Sequence, residues 1–258
     1  MIQQNYHKDA TKNKLYNEYT KKLQIPYPLK KNYNPVIPLN IYQTWHTKNL
    51  PPKMFETIKL IKNLNPRFNH QLFDDNDCRE FIKNNFEPNV LHAFDSLIPG
   101  AYKADLWRYC ILYKNGGVYL DIKYMPLNNF RFITMMEKEH WVLDVDKYGI
   151  YNALMVCKPE NEILLKAINQ IVENVKNKYY GNNFLEPTGP QLLSCFFSNE
   201  EKNNFDMKHK EIIDYNSKII SYNNYIILKS YNGHINERNK YSKTKHYSNL
   251  WYERNVYK

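Results

Sequence analysis

No run of eighteen apolar residues occurs anywhere in the chain, which excludes a membrane-spanning helix. The first thirty residues also lack the apolar segment of a secretory leader or anchor, so the sequence predicts a soluble, cytoplasmic protein with no integral membrane segment. Cysteine is scarce. Cys78, Cys110, Cys157 and Cys195 stand far apart without a C-x-x-C pair, which excludes a zinc framework and a secreted disulfide pattern and predicts reduced, mostly buried thiols. No internal repeat and no dense basic block is present. The net charge of +10 is spread over scattered lysines, so no nucleic-acid partner is expected, and a basic nucleic-acid-binding domain ranks below the readings that follow.

What is present suffices for one sizeable core: 258 residues, 43% of them hydrophobic. Residues 1–35 read as an N-terminal extension. Leu15, Tyr16, Tyr19 and Leu23 have helical spacing, and Pro26, Pro28, Pro35 and Pro38 then mark a linker. The main domain is placed at 36–258. There "VIPLNIYQTW" and "FNHQLFDD" read as strands, and "PPKMFETIKLIKNL" and "NDCREFIKNNF" as the helices after them. Strand and helix alternate, which predicts an α/β fold with a mostly parallel central sheet flanked by helices. "GAYKADLWRYCILYKNGG" is a strongly apolar helix closed by Gly116 and Gly117, and "VYLDIKY" is a buried strand. "HWVLDVD" and "NALMVCKP" look like core strands, "ENEILLKAINQIVENV" is a helix, and "TGPQLLSCFF" opens another. The segment from about 206 onward, with "EIIDYN" and "YNNYIILKS", has no clear regular pattern.

The candidate chemistry centres on "KNGGVYLDIKYMPL", residues 114–127. Alternation along a strand puts Tyr119, Asp121 and Lys123 on one face, at the carboxyl end where open α/β sheets bind ligands. On the preceding helix Asp105 and Arg108 share a face. A carboxylate accepts from sugar hydroxyls and a guanidinium presents a planar fork to sugar or phosphate oxygens. From spacing alone a simple helix salt bridge is the favoured reading of this pair. Asp144 and Asp146 form a second i, i+2 pair, which would shape an acceptor side or be mistaken for a metal site.

The segments "IPLNIYQTWHTKNLP", "NPRFNHQLFDDNDCREFI", "AYKADLWRYCILYKNGGVYLDIKY" and "PTGPQLL" resemble, in order and spacing, glycosyltransferase family 32. That family includes Golgi mannosyltransferases and galactosyltransferases and is distantly similar to the clostridial glucosylating toxins. The resemblance implies the GT-A type of nucleotide-diphospho-sugar transferase fold. It also implies retaining transfer of a hexose from a nucleotide sugar, UDP-sugar ahead of GDP-mannose, to a glycan or protein hydroxyl. By position, Trp45 stacks on the nucleobase with Gln43 and Thr44 lining that pocket, and Asp105 and Arg108 hold the donor sugar. Tyr119 and Asp121 match the aromatic and first acid of a Y-x-D-x-D signature. His246, Ser248, Asn249 and Trp251 in "HYSNLWYERN" are similar to a closing segment over the donor, His246 joining Asp121 as a metal ligand.

Departure of a diphosphate builds negative charge, which Mn2+ or Mg2+ held by paired carboxylates would offset. Here Lys123 occupies the place of the second acid. Several readings stay open: the ammonium supplies the positive charge, a metal remains on Asp121 and another group, catalysis is lost and a nucleotide-sugar-binding pseudoenzyme remains, or Lys123 points to solvent. The missing anchor suggests a bacterial or large-DNA-virus origin.

Overall fold

The computed structural model describes residues 21–145, 149–212 and 217–258. Asp146 and most of the amphipathic N-terminal pattern, including Leu15, Tyr16 and Tyr19, lie outside the described residues.

The first half follows the expected alternation. Strand β1 (Asn40–Thr44) leads to α1 (Pro52–Leu64), β2 (Asn69–Phe73) and α2 (Asp75–Asn85). The entry to α2 is fixed by a reciprocal cap, in which Asp74 accepts from the amide of Asp77 and Asp77 from that of Asp74. After α3 (Pro88–Ser96) comes α4 (Gly100–Asn115), in which every residue from Asp105 to Leu112 is buried. A helix apolar around its circumference belongs in the interior, and α4 runs through the middle of the larger core cluster. It stops at Gly116, whose φ of 60° favours glycine and where a Cβ would stand 2.7 Å from Pro159.

Strand β3 (Gly117–Leu120) pairs parallel with β1, β1 pairs parallel with β2, and β6 (Leu154–Cys157) pairs antiparallel with β3, giving the order β2-β1-β3-β6. Helix α5 (Glu162–Lys176) buries Leu164, Ala167, Ile168, Ile171 and Val175, the i, i+3, i+4, i+7 stripe of an amphipathic helix. The α/β class expected from the alternation is therefore observed, with three parallel strands and a fourth antiparallel one.

A second sheet was not expected. Strand β4 (Tyr124–Pro126), β5 (Val142–Leu143), β7 (Met207–Ile212), β8 (Ser217–Tyr222) and β9 (Tyr225–Ser230) form a five-stranded sheet in the order β4-β9-β8-β7-β5, antiparallel except for β5 with β7. The segment left without a regular pattern is thus a meander. Its β8–β9 turn uses Asn223 and Asn224 with φ of 48° and 68°, the left-handed pair that a tight hairpin requires. "VYLDIKY" is also not one strand. β3 ends at Leu120, residues 121–123 turn, and β4 begins the other sheet at Tyr124, so the candidate site sits where the chain crosses between sheets.

The proline-rich segment lies along this second sheet. Tyr27 stacks on Tyr222 at 5.1 Å, and Lys30 pairs with Glu137. The helices α6 (Pro190–Ser194), α7 (Asn199–Asn203), α8 (His234–Tyr241) and α9 (Tyr247–Tyr252) complete the described chain. Cys78, Cys110 and Cys157 are free and buried, whereas Cys195 is free and exposed. Among the described residues no helix is long and apolar enough to cross a membrane.

Candidate functional site

The carboxyl ends of the parallel strands β1 and β3 lie on one edge of the first sheet, and the residues singled out at β3 and α4 meet there. Tyr119, on the last turn of the pleat before Asp121, donates its hydroxyl to Asp121 Oδ1 at 2.8 Å. Lys123 Nζ donates to Asp121 Oδ2 at 2.5 Å. The two side chains approach through the turn rather than by strand alternation. That turn is held by backbone bonds from the Asp121 amide to the Ala153 carbonyl (2.8 Å) and from the Tyr231 amide to the Lys123 carbonyl (2.9 Å).

Arg108 joins helix to strand tip. Its Nη2 lies 3.4 Å from Asp105 Oδ1 and its Nη1 3.5 Å from Asp121 Oδ1, and its guanidinium rests over the Tyr119 ring. Nη1 also donates to the Asn152 carbonyl at 2.8 Å, and Nε to the Ala104 carbonyl at 3.1 Å. Asp105 accepts from Asn152 Nδ2 at 2.9 Å and from Thr188 Oγ1 at 2.8 Å. The site thus contains two acids and two bases locked together. Asp105 and Arg108 form its buried floor, with side chains 11% and 7% exposed, while Asp121 and Lys123, each 23% exposed, form the part that solvent reaches.

Burial and charged partners pull in opposite directions at all three groups. Burial raises the Asp105 carboxyl above its ordinary range against the pull of Arg108. Burial also acts to raise Asp121, but Lys123 and Arg108 overcome it and hold that carboxyl low. Burial lowers Lys123 although Asp121 opposes the shift.

Two tyrosines flank the lysine. Its Nζ lies 5.2 Å from the Tyr124 ring centre and 5.6 Å from that of Tyr151, and the two hydroxyls are bonded to each other at 2.8 Å. Tyr151 in turn stacks at 3.6 Å on His209, which pairs with Asp144 at 2.7 Å. The expected acceptor-side carboxylate Asp144 is therefore tied to His209, a residue the sequence reading did not single out. Asn152, Thr188, Tyr124, Tyr151 and His209 were all missed. Thr188 and Tyr124 carried a signal, through their places in "PTGPQLL" and "AYKADLWRYCILYKNGGVYLDIKY".

The expected nucleobase pocket is less uniform. Gln43 is fully buried and bonded to His70 at 2.8 Å, whereas Thr44 points the other way, donating to the Phe73 carbonyl at 2.9 Å beside Cys78. Neighbouring strand residues face opposite sides, so the two side chains do not share one pocket wall. Trp45 is half-buried against Met54, Ile58, Ile122 and Tyr231, with its Nε1 buried and unbonded. In the C-terminal segment Trp251 donates to the Tyr180 carbonyl at 2.7 Å, Asn249 is exposed, and Tyr247 packs on Tyr102 and Phe184 over the start of α4.

His246 is the N-cap of α9, its side chain accepting from the Ser248 amide and lying 2.7 Å from the Ser248 hydroxyl. Among the described residues no three His, Cys, Asp or Glu side chains come together as a metal ligand set. Asp121 has both oxygens engaged, one by an ammonium. The Arg108 and Lys123 cations already match the charges of Asp105 and Asp121, so the cluster offers no net negative charge to a dication, and Lys123 would repel one at the outer carboxylate. The residues here do not fit a divalent cation bridging a diphosphate.

Residues 51–142 match the family described as "Glycosyltransferase sugar-binding region containing DXD motif". The chain is 31% identical over 168 residues to inositol phosphoceramide mannosyltransferase 3 of Schizosaccharomyces pombe, a match covering 65% of this chain and 46% of that protein. It is 36% identical over 89 residues to an uncharacterized glycosyltransferase of Acanthamoeba polyphaga mimivirus, covering 34% of this chain and 36% of that one. The chain thus spans about half the length, or less, of these relatives. Among solved structures, the PaToxG glycosyltransferase overlaps with a TM-score of 0.47 at 16% identity, covering 74% of this chain and 76% of that chain. The stretch that supplies Asp105, Arg108, Tyr119, Asp121 and Lys123 is thus similar to the DXD-type, family 32-like glycosyltransferases.

Proposed function

We propose that the protein transfers a hexosyl group from a nucleotide sugar to a hydroxyl acceptor, with retention of anomeric configuration, in a GT-A type site. The observation that carries this reading is the convergence of Asp105, Arg108, Tyr119 and Asp121 at the carboxyl edge of a parallel sheet, within a segment matching a sugar-binding family. Mannose is the first sugar to test, because a relative is named a mannosyltransferase, and the same name puts an inositol-phosphate headgroup among the hydroxyl acceptors to try.

In the reaction the bond between the anomeric carbon and the β-phosphate oxygen breaks, and its electron pair goes to that oxygen. The acceptor oxygen bonds to the anomeric carbon, and its proton passes to the departing phosphate. Arg108 and Lys123 supply fixed positive charge where negative charge grows, and such preorganised charge lowers a barrier because it need not reorient. Asp121 and Tyr119 orient both cations. Asp105 holds Arg108 from beneath, and Tyr247 with Trp251 closes the donor side. No step here is routed through a metal.

A panel of GDP-mannose, UDP-glucose and UDP-galactose, followed by release of the free nucleoside diphosphate, tests the proposal. Release with one donor, accelerated by a hydroxyl acceptor, is the expected result. Binding without release from any donor would support the nucleotide-sugar-binding pseudoenzyme instead, a reading favoured by the mutual neutralisation of Asp121 and Lys123.

A further inference from the structure

We infer that the ammonium group of Lys123, poised between Asp121 and the faces of Tyr124 and Tyr151, is itself the cation that grips the departing nucleoside diphosphate, so that this chain binds nucleoside diphosphates without a divalent metal. The inference rests on the nucleotide-sugar reading above and adds to it the means by which the diphosphate is held.

Lys123 does not point idly into solvent. Its ammonium is held at 2.5 Å by Asp121 and lies over two aromatic faces, and the tyrosines under it are fixed by their own hydroxyl pair and by the stack on His209. Its backbone is pinned at the carbonyl by Tyr231. The group is therefore preorganised yet partly open, with 23% of the side chain exposed.

Exchange of partners is chemically reasonable. A diphosphate carries more negative charge than one carboxylate, and charge-assisted bonds to phosphate oxygens are short and strong. When the ammonium turns to the phosphate, Asp121 keeps the Tyr119 hydroxyl and the Arg108 guanidinium, so no buried charge is stranded. As the anomeric bond breaks, the ammonium donates a hydrogen bond to the oxygen receiving the electron pair and gives up no proton. Lys218 adds positive charge within electrostatic range of Lys123, while Asp121 acts in the opposite direction. Burial, with Lys123 and Lys218 adding to it, lowers both His209 and His234, and Asp144 opposes the shift at His209.

The test is calorimetric titration of GDP and of UDP into the full chain stripped with EDTA, repeated with added Mn2+. One of the two nucleotides binds the stripped protein, and Mn2+ changes its affinity by less than about threefold. Lys123→Met weakens binding by about tenfold or more, whereas Lys123→Arg, which keeps the charge, stays within about threefold, with unfolding curves like the parent's for both. Binding seen only with Mn2+, or undiminished binding by Lys123→Met, would overturn the ammonium assignment and leave the transferase reading standing. Failure of both nucleotides to bind, with and without Mn2+, would overturn the assignment and the transferase reading together.

Discussion

The guanidinium carbon of Arg108 sits 4.3 Å from the centre of the Tyr119 ring, while its terminal nitrogens reach Asp105 on the same helix and Asp121 beyond the strand. One side chain thus fixes the distance between α4 and the tip of β3. Replacing it by alanine leaves Asp105 buried with its charge unmatched, and removal of one partner from such a pair costs about 3–5 kcal/mol. Arg108→Ala should therefore lose stability as well as transfer. Urea unfolding measures the first, and a midpoint equal to the parent's would contradict the arrangement.

Asp121 makes a different demand. Asp121→Asn keeps the shape and can still meet the Tyr119 hydroxyl, but it removes the charge that aims Lys123. The expected fall in nucleoside diphosphate release is about a hundredfold, the usual scale for losing one preorganised electrostatic group. Circular dichroism should be unchanged. Turnover within a few-fold of the parent would show that Asp121 does not aim the lysine.

These residues were legible in the sequence because they are local to one another: Asp105 and Arg108 share a helix face, and Tyr119, Asp121 and Lys123 span one short segment. Their supports were not. Asn152 and Thr188 reach Asp105 across 47 and 83 residues of chain, and no local period marks such partners. The strand reading of "VYLDIKY" failed at a specific place, since apolar alternation does not distinguish a strand that continues from one that turns into another sheet. The meander after residue 206 escaped notice although "YNNY" carries a hairpin turn, because Asn-Asn is a weaker signal than Asn-Gly.

Acid should destabilise the fold through its buried imidazoles. Burial lowers His234 to about 4, with Lys123 acting in the same direction, and burial lowers His70 to about 4, with Lys62 adding to it. Both rings are neutral when folded, so below the unfolded value of about 6.5 the unfolded chain binds more protons. The stability from these groups is fully present above that pH and is lost as pH falls towards 4. Denaturation midpoints measured across this window should decline steadily, and His234→Gln should flatten the decline. An unchanged slope in that variant would exclude the imidazole as a cause.

Gly116 permits a fourth check. A side chain there must adopt φ near 60° and push its Cβ to 2.7 Å from Pro159, and that contact cannot be relieved by a rotamer change. Gly116→Ala should cost more than about 1 kcal/mol, from left-handed strain plus overpacking. Gly100→Ala is the control, because a Cβ there meets nothing within 4 Å. Thermal unfolding of the two variants should separate them clearly.

The crossing at residues 121–123 has a mechanical consequence. The turn between the two sheets is held from both sides, the Asp121 amide by the Ala153 carbonyl just before β6 and the Lys123 carbonyl by the Tyr231 amide just after β9. Strand β9 runs from the Asn223–Asn224 turn to Ser230, which pairs with Tyr124 beside Lys123, so a loosened hairpin is expected to weaken that hold from the far end of the strand. Under the proposed function, substitutions in that hairpin would tune the hold on the leaving group from a distance, separably from the chemistry of the acids themselves.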